Sequence, residues 1–126
     1  MKHKTNGTTV CLLDDDPSLL RAMTRMLSSA GCRVQSFTDP IAFLDYARDH
    51  RPRVAVLDIL VPIMNRLDVQ TRLRDLSRST GVIVLTSKDD PWVRSKAMYA
   101  GARAFFLKPV DEDQFLASIA SAFSNN

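Results

Sequence analysis

Cysteine and glycine are scarce: the 126 residues hold two of the first and four of the second, with two histidines and one tryptophan. Cys11 lies inside an apolar run and Cys32 just before another, and both read as reduced, buried or half-buried thiols. No cysteine or histidine spacing fits a zinc site, and His3 and His50 have no ligand partners near them in sequence. No glycine-rich phosphate loop follows the first apolar run, which argues against a nucleotide- or flavin-binding protein. Residues 1–9 are polar, with no apolar stretch of signal-peptide length, and no run elsewhere reaches transmembrane length. A cytoplasmic protein without membrane contact is expected. The net charge of +3 comes from scattered Lys and Arg with no block of like charge, so direct nucleic-acid binding by this chain is not expected.

What the chain does have is a regular alternation. With 45% hydrophobic residues, it suits one domain over 1–126, its core at about 9–123, and has no room for a second. Five short apolar runs at 10–13, 34–37, 54–57, 82–85 and 104–107 alternate with five helical patterns. Four are nearly continuous, as in strands covered on both faces. The second contains Gln35 and Ser36 and reads as an edge strand. The first helix starts at Asp16 as N-cap with Pro17 in its first turn, buries Leu19, Leu20, Met23, Met26, Leu27 and Ala30, and ends at Gly31. Asp39-Pro40 opens a second through Ala47. A third runs from about Arg66 to Leu76 over Val69, Leu73 and Leu76. A fourth covers about 91–99 with Val93, Ala97 and Ala100 inward, closed by Gly101. The last begins near Asp111 and buries Phe115, Ile119, Ala122 and Phe123. Strand and helix repeated five times predict a doubly wound (βα)5 domain, a flavodoxin-like parallel sheet of order 2-1-3-4-5.

Chemistry gathers at one end of those strands. Asp14-Asp15-Asp16, Asp58, Thr86 and Lys108 each stand just past the carboxyl end of an apolar run, the edge where such sheets bind ligands. Strand 1 beside strand 3 brings Asp14 and Asp15 next to Asp58. Two unit charges about 4 Å apart repel by roughly 4 kcal/mol at an effective dielectric near 20, so the cluster needs counter-charge. Lys108 supplies one, and Mg²⁺, which favours carboxylate, carbonyl and water oxygens, would supply two more. A carboxylate beside a metal can serve as a nucleophile and form an acyl phosphate. Asp58, alone at its strand end, is the better candidate, whereas Asp16 is a helix cap. An aspartyl phosphatase of the haloacid-dehalogenase kind would place a second Asp two residues after the nucleophile. Leu60 stands there, which argues against turnover.

These residues resemble a known family. Leu12-Leu13-Asp14-Asp15-Asp16-Pro17, Leu57-Asp58-Ile59-Leu60-Val61-Pro62-Ile63-Met64, Leu85-Thr86-Ser87 and Phe106-Leu107-Lys108-Pro109 are similar to the receiver domain of two-component response regulators, from about Thr9 to Phe123. The resemblance implies that Asp58 accepts a phosphoryl group from a histidine kinase or phosphohistidine protein. It implies Mg²⁺ held by Asp15 directly, by Asp14 through water, by Asp58 and by the Leu60 carbonyl. It implies that Lys108 pairs with phosphoryl oxygens, that Thr86 swings to bond them and that Phe105 follows inward as the switch aromatic. It also implies a cis Lys108-Pro109 bond. Trp92, Arg94, Lys96, Tyr99 and Arg103 lie on or near the fourth helix and fifth strand, a face the family uses for partners, and dimerisation through the fourth helix, fifth strand and fifth helix is expected there. Arg66 departs from the customary glycine, leaving a pseudo-receiver that acts only through protein contacts as the alternative. Leu60 and Lys88 flank the path of an attacking water; Leu60 cannot orient one, so a long-lived acyl phosphate is expected.

Overall fold

Aspartate followed by proline starts three of the helices. Asp16, Asp39 and Asp90 each hold an extended backbone and turn a carboxylate onto first-turn N–H groups, satisfying donors that have no helical acceptor. Two helices end at a glycine. Gly31 and Gly101 take φ of 94° and 101°, the left-handed geometry that lets the next N–H reach back to the helix, from Cys32 to the Leu27 carbonyl and from Ala102 to the Ala97 carbonyl.

The computed structural model describes residues 8–58, 66–87 and 89–124. Its elements run β1 (Thr9–Leu13), α1 (Pro17–Ser29), β2 (Arg33–Phe37), α2 (Pro40–His50), β3 (Val54–Asp58), α3 (Arg66–Leu76), β4 (Gly81–Thr86), α4 (Pro91–Tyr99), β5 (Ala104–Leu107) and α5 (Glu112–Ser124). All four strand pairings are parallel, in the order β2-β1-β3-β4-β5. The doubly wound flavodoxin-like arrangement expected from the alternation is therefore the one found.

Period-two alternation along the strands divides the core in two. Val10, Leu12, Val54, Val56, Ile83 and Leu85 face α1 and α5, meeting Leu20, Met23, Leu27, Phe115, Ile119 and Phe123. Cys11, Leu13, Ala55, Leu57, Val82 and Val84 face the other way, onto Phe43, Ala47, Val69, Leu73 and Ala97. β3 and β4 are buried throughout. β2 is largely exposed, as its Gln35 and Ser36 predicted, and β5 at the opposite edge is only half-covered. Both cysteines are buried and neither is in a disulfide, and burial pushes the Cys11 thiol up to about 12.

α2 departs from its expected length, continuing past Ala47 to His50. Its last turn carries a stacked Tyr46–His50 ring pair, centroids 4.0 Å apart. Arg51 then stops the helix in a left-handed conformation, its N–H bonded to the Ala47 carbonyl. α3 holds a surprise in Gln70, buried against α4 with its Nε2 donating to the Ala97 carbonyl at 2.9 Å.

Phe115 is fully buried on α5, edge-to-face with Phe106 at 5.9 Å. Phe115→Ala is expected to cost about 3–5 kcal/mol, read from urea unfolding as a lower midpoint at unchanged slope. Tyr99→Ala, removing a ring that is 90% exposed, should stay within about 0.5 kcal/mol. Similar losses in both variants would contradict this assignment of core and surface.

Candidate functional site

Sheet register builds the site. Leu13 pairs with Leu57, so the next residues, Asp14 and Asp58, emerge side by side at the carboxyl edge. Asp58 pairs with Leu85, which brings Thr86 one step beyond it on the adjoining strand, and Thr86 pairs with Leu107, which delivers Lys108. Backbone bonds extend the pairing past the strand ends: Asp14 N–H donates to the Phe37 carbonyl at 3.1 Å and Lys108 N–H to the Thr86 carbonyl at 2.8 Å. The Lys108-Pro109 peptide is cis.

Lys108 reaches back across β4 to the acids. Its Nζ donates to Asp14 Oδ2 at 3.0 Å and stands 3.1 Å from Asp58 Oδ2. Asp14 and Asp58 are buried and Asp15 is exposed, and one carboxylate oxygen from each lies within 4.8 Å of the others. Asp14 also accepts from the Asp16 N–H at 3.0 Å, while Asp16 caps α1. Three carboxylates against one ammonium leave a surplus of two negative charges. That surplus, with hard oxygen donors only, fits a divalent cation such as Mg²⁺.

The electrostatics follow from burial. Loss of solvent raises the Asp14 pKa most, helped by repulsion from Asp58, while the Asp16 N–H and Lys108 pull it back without cancelling the rise. Burial alone would lower Lys108, but its bonds to Asp14 and Asp58 outweigh that and hold it above its usual range. Both shifts have the same sign, in different pH windows. The Lys108 contribution to stability is fully present below the ordinary lysine pKa and lost as pH rises through its folded value. Asp14 binds its proton more tightly in the folded state, so stability falls as pH climbs from the ordinary carboxylate value through the raised one.

Of the residues singled out in the sequence, Asp14, Asp15, Asp58 and Lys108 meet here. Thr86 is fully buried at the end of β4. Phe105 sits half-buried on β5, packed on the α2–α3–α4 side of the sheet. Leu60 and Lys88 lie outside the described residues, as does the Arg66 side chain, although α3 begins at Arg66 as expected. Sequence reading named Arg94 only as part of a surface, yet its guanidinium carbon stands 5.2 Å from the Phe105 ring centroid. No spacing rule pairs a helix arginine with a ring on the following strand.

Asp14→Asn should stabilise the metal-free protein. Lys108 keeps Asp58, the Asp16 N–H keeps an acceptor, and an incompletely compensated buried charge disappears. The expected gain is about 1–2 kcal/mol at neutral pH, shrinking to nothing under acid conditions where Asp14 is already protonated. Lys108→Ala should do the opposite. Denaturant midpoints at the two pH values check both, and a loss of stability in Asp14→Asn at neutral pH would contradict this electrostatic account.

Comparison with known proteins agrees with this geometry. The family model described as the response regulator receiver domain matches residues 10–120. The response regulator protein TodT of Pseudomonas putida is 32% identical over 123 residues, covering 97% of this chain and 54% of that protein. The chain thus spans about half the length of the curated relatives it matches. Among solved structures, a response regulator receiver protein from Burkholderia phymatum superposes with a TM-score of 0.82 at 34% identity, covering 93% of this chain and 95% of that one. The BeF3-activated receiver domain of DrrB matches with a TM-score of 0.83 at 26% identity, covering 93% of this chain and 97% of that one. With its sheet order, its acidic edge and these relatives in agreement, the chain belongs to the response regulator receiver domain family.

Proposed function

We propose that this chain, as one receiver domain over 1–126, is a phosphorelay switch whose acceptor is Asp58. The observation that carries the reading is the pairing of one ammonium with two buried carboxylates, 3.0 and 3.1 Å away, beside a third that is exposed. An Asp58 carboxylate oxygen attacks the phosphorus of a phosphohistidine on a histidine kinase or phosphotransfer protein. The phosphorus–nitrogen bond breaks as the acyl phosphate forms, and the histidine leaves with its electron pair. Asp14, Asp15, Asp58 and the Leu60 carbonyl would hold Mg²⁺, which would supply charge neutralisation for the incoming phosphoryl oxygens. Lys108 pairs with one of those oxygens, and the Thr86 hydroxyl bonds another. Movement of Thr86 draws Phe105 inward, shifting a two-state equilibrium.

Such a protein changes state without turning over a substrate, and Leu60 in place of a second acid supports that role. The full set of acceptor, acids, hydroxyl and lysine argues against the pseudo-receiver alternative. The face formed by α4, β5 and α5 is the proposed dimer contact, supported by Trp92, Met98, Tyr99 and Leu107, all exposed. No helix among the described residues is long and apolar enough to cross a membrane, and a cytoplasmic location suits exchange with a kinase.

Incubation with acetyl phosphate and Mg²⁺ should add the mass of one phosphoryl group to the intact chain, and Asp58→Ala should abolish it. No gain in the unaltered chain, or equal gain in the variant, would remove Asp58 as acceptor. Because Leu60 offers a water no hydrogen bond, the phosphorylated mass should decay slowly, and Leu60→Asn should speed that decay several-fold. Rapid decay unaffected by Leu60→Asn would contradict the role given to this position.

A further inference from the structure

We infer that Arg94 is a positioning residue, a cation latched over the Phe105 ring that sets how readily the switch moves; the inference rests on the proposed role of Phe105. Phe105 is paired with Val84, two residues before Thr86 on β4, so by strand alternation it shares a sheet face with Thr86. It is the aromatic side chain of β5 that packs on the same side as Val84, Ala97 and Ala102. Yet the ring is only half-buried, because β5 is an edge strand covered on this side by α4. An apolar ring beside a core gains by moving deeper, so the half-exposed position needs its own support.

Arg94 provides it. The residue stands early in α4, where its N–H bonds the Asp90 carbonyl at 3.0 Å, and its guanidinium carbon lies 5.2 Å from the Phe105 centroid. That is within the range in which a cation is held by the face of an aromatic ring. Among the described residues Arg94 makes no ion pair, so no carboxylate competes with the ring for its charge. An inward ring leaves the guanidinium behind in solvent. The contact therefore stabilises one state of the equilibrium and not the other, which is the condition for shifting it. At an exposed site such a contact is worth about a two- to fivefold change in population. The neighbouring Lys96–Trp92 contact, 5.4 Å from ammonium to ring, lies between two residues of α4 and does not restrain β5.

The test uses the whole chain. Arg94→Met keeps an apolar stem and removes the cation. Side-chain couplings in NMR report the χ1 populations of Phe105 without any phosphoryl donor, and the ratio of inward to outward ring should rise about two- to fivefold. Affinity for beryllofluoride with Mg²⁺, measured by calorimetry, should tighten by the same factor. In a Phe105→Leu background, Arg94→Met should leave that affinity unchanged, because the ring it acts through is gone. Unaltered Phe105 populations in Arg94→Met, or an equal affinity change without the ring, would overturn the latch. Failure of the unaltered chain to bind beryllofluoride would instead count against the phosphoacceptor reading, with the ring populations still deciding the latch.

Discussion

One ammonium shared between two buried carboxylates is the constraint around which this domain is arranged. Lys108 Nζ stands 3.0 Å from Asp14 and 3.1 Å from Asp58, and both acids are delivered to that point by the pairing of β1 with β3. Charges that close repel by a few kcal/mol even at an effective dielectric near 20, and one cation offsets only part of a three-carboxylate cluster. The site is thus held with an uncompensated negative charge, which burial of Asp14 aggravates. A protein tolerates this where the surrounding sheet resists rearrangement, and where the remaining deficit is met by a ligand.

The sheet provides that resistance unevenly. β3 and β4, which carry Asp58 and Thr86, are buried on both faces, with two separate apolar layers pressing on them. Toward β5 the cover thins, leaving Phe105 half-buried and Leu107 exposed beside a helix that also exposes Trp92, Met98 and Tyr99. The acidic edge sits over the buried centre of the sheet, and Phe105 sits at its less covered edge. Helix α4, tied to α3 through Gln70 and through Arg74, which donates to the Ala100 carbonyl at 3.1 Å, forms the wall beside that ring.

Much of this was legible because it is local. Apolar runs set the strands, Asp-Pro pairs set helix starts, and the acids, hydroxyl and lysine fell at strand ends where a parallel sheet must bring them together. What escaped the sequence depends on tertiary contacts with no local signature. The last turn of α2 is polar by composition and persists through ring stacking and a left-handed Arg51. Gln70 reads as a surface residue, yet it is buried with its Oε1 lacking a hydrogen-bond partner among the described residues. Arg94 looked like one charge on an interaction face until its position over Phe105 was seen. Leu60 and Lys88, which the family resemblance ties to loss of the phosphoryl group, fall outside the described residues.

Titration of the melting temperature with Mg²⁺, in the unaltered chain and in Asp15→Asn, tests most directly whether the acidic edge is a cation site. Asp15 is exposed, so its replacement leaves the core intact. A cation bound only by the folded state raises stability with the logarithm of its concentration above the dissociation constant. A rising melting temperature is expected in the unaltered chain and a much weaker rise in Asp15→Asn. A flat response, or the same rise in both proteins, would contradict it.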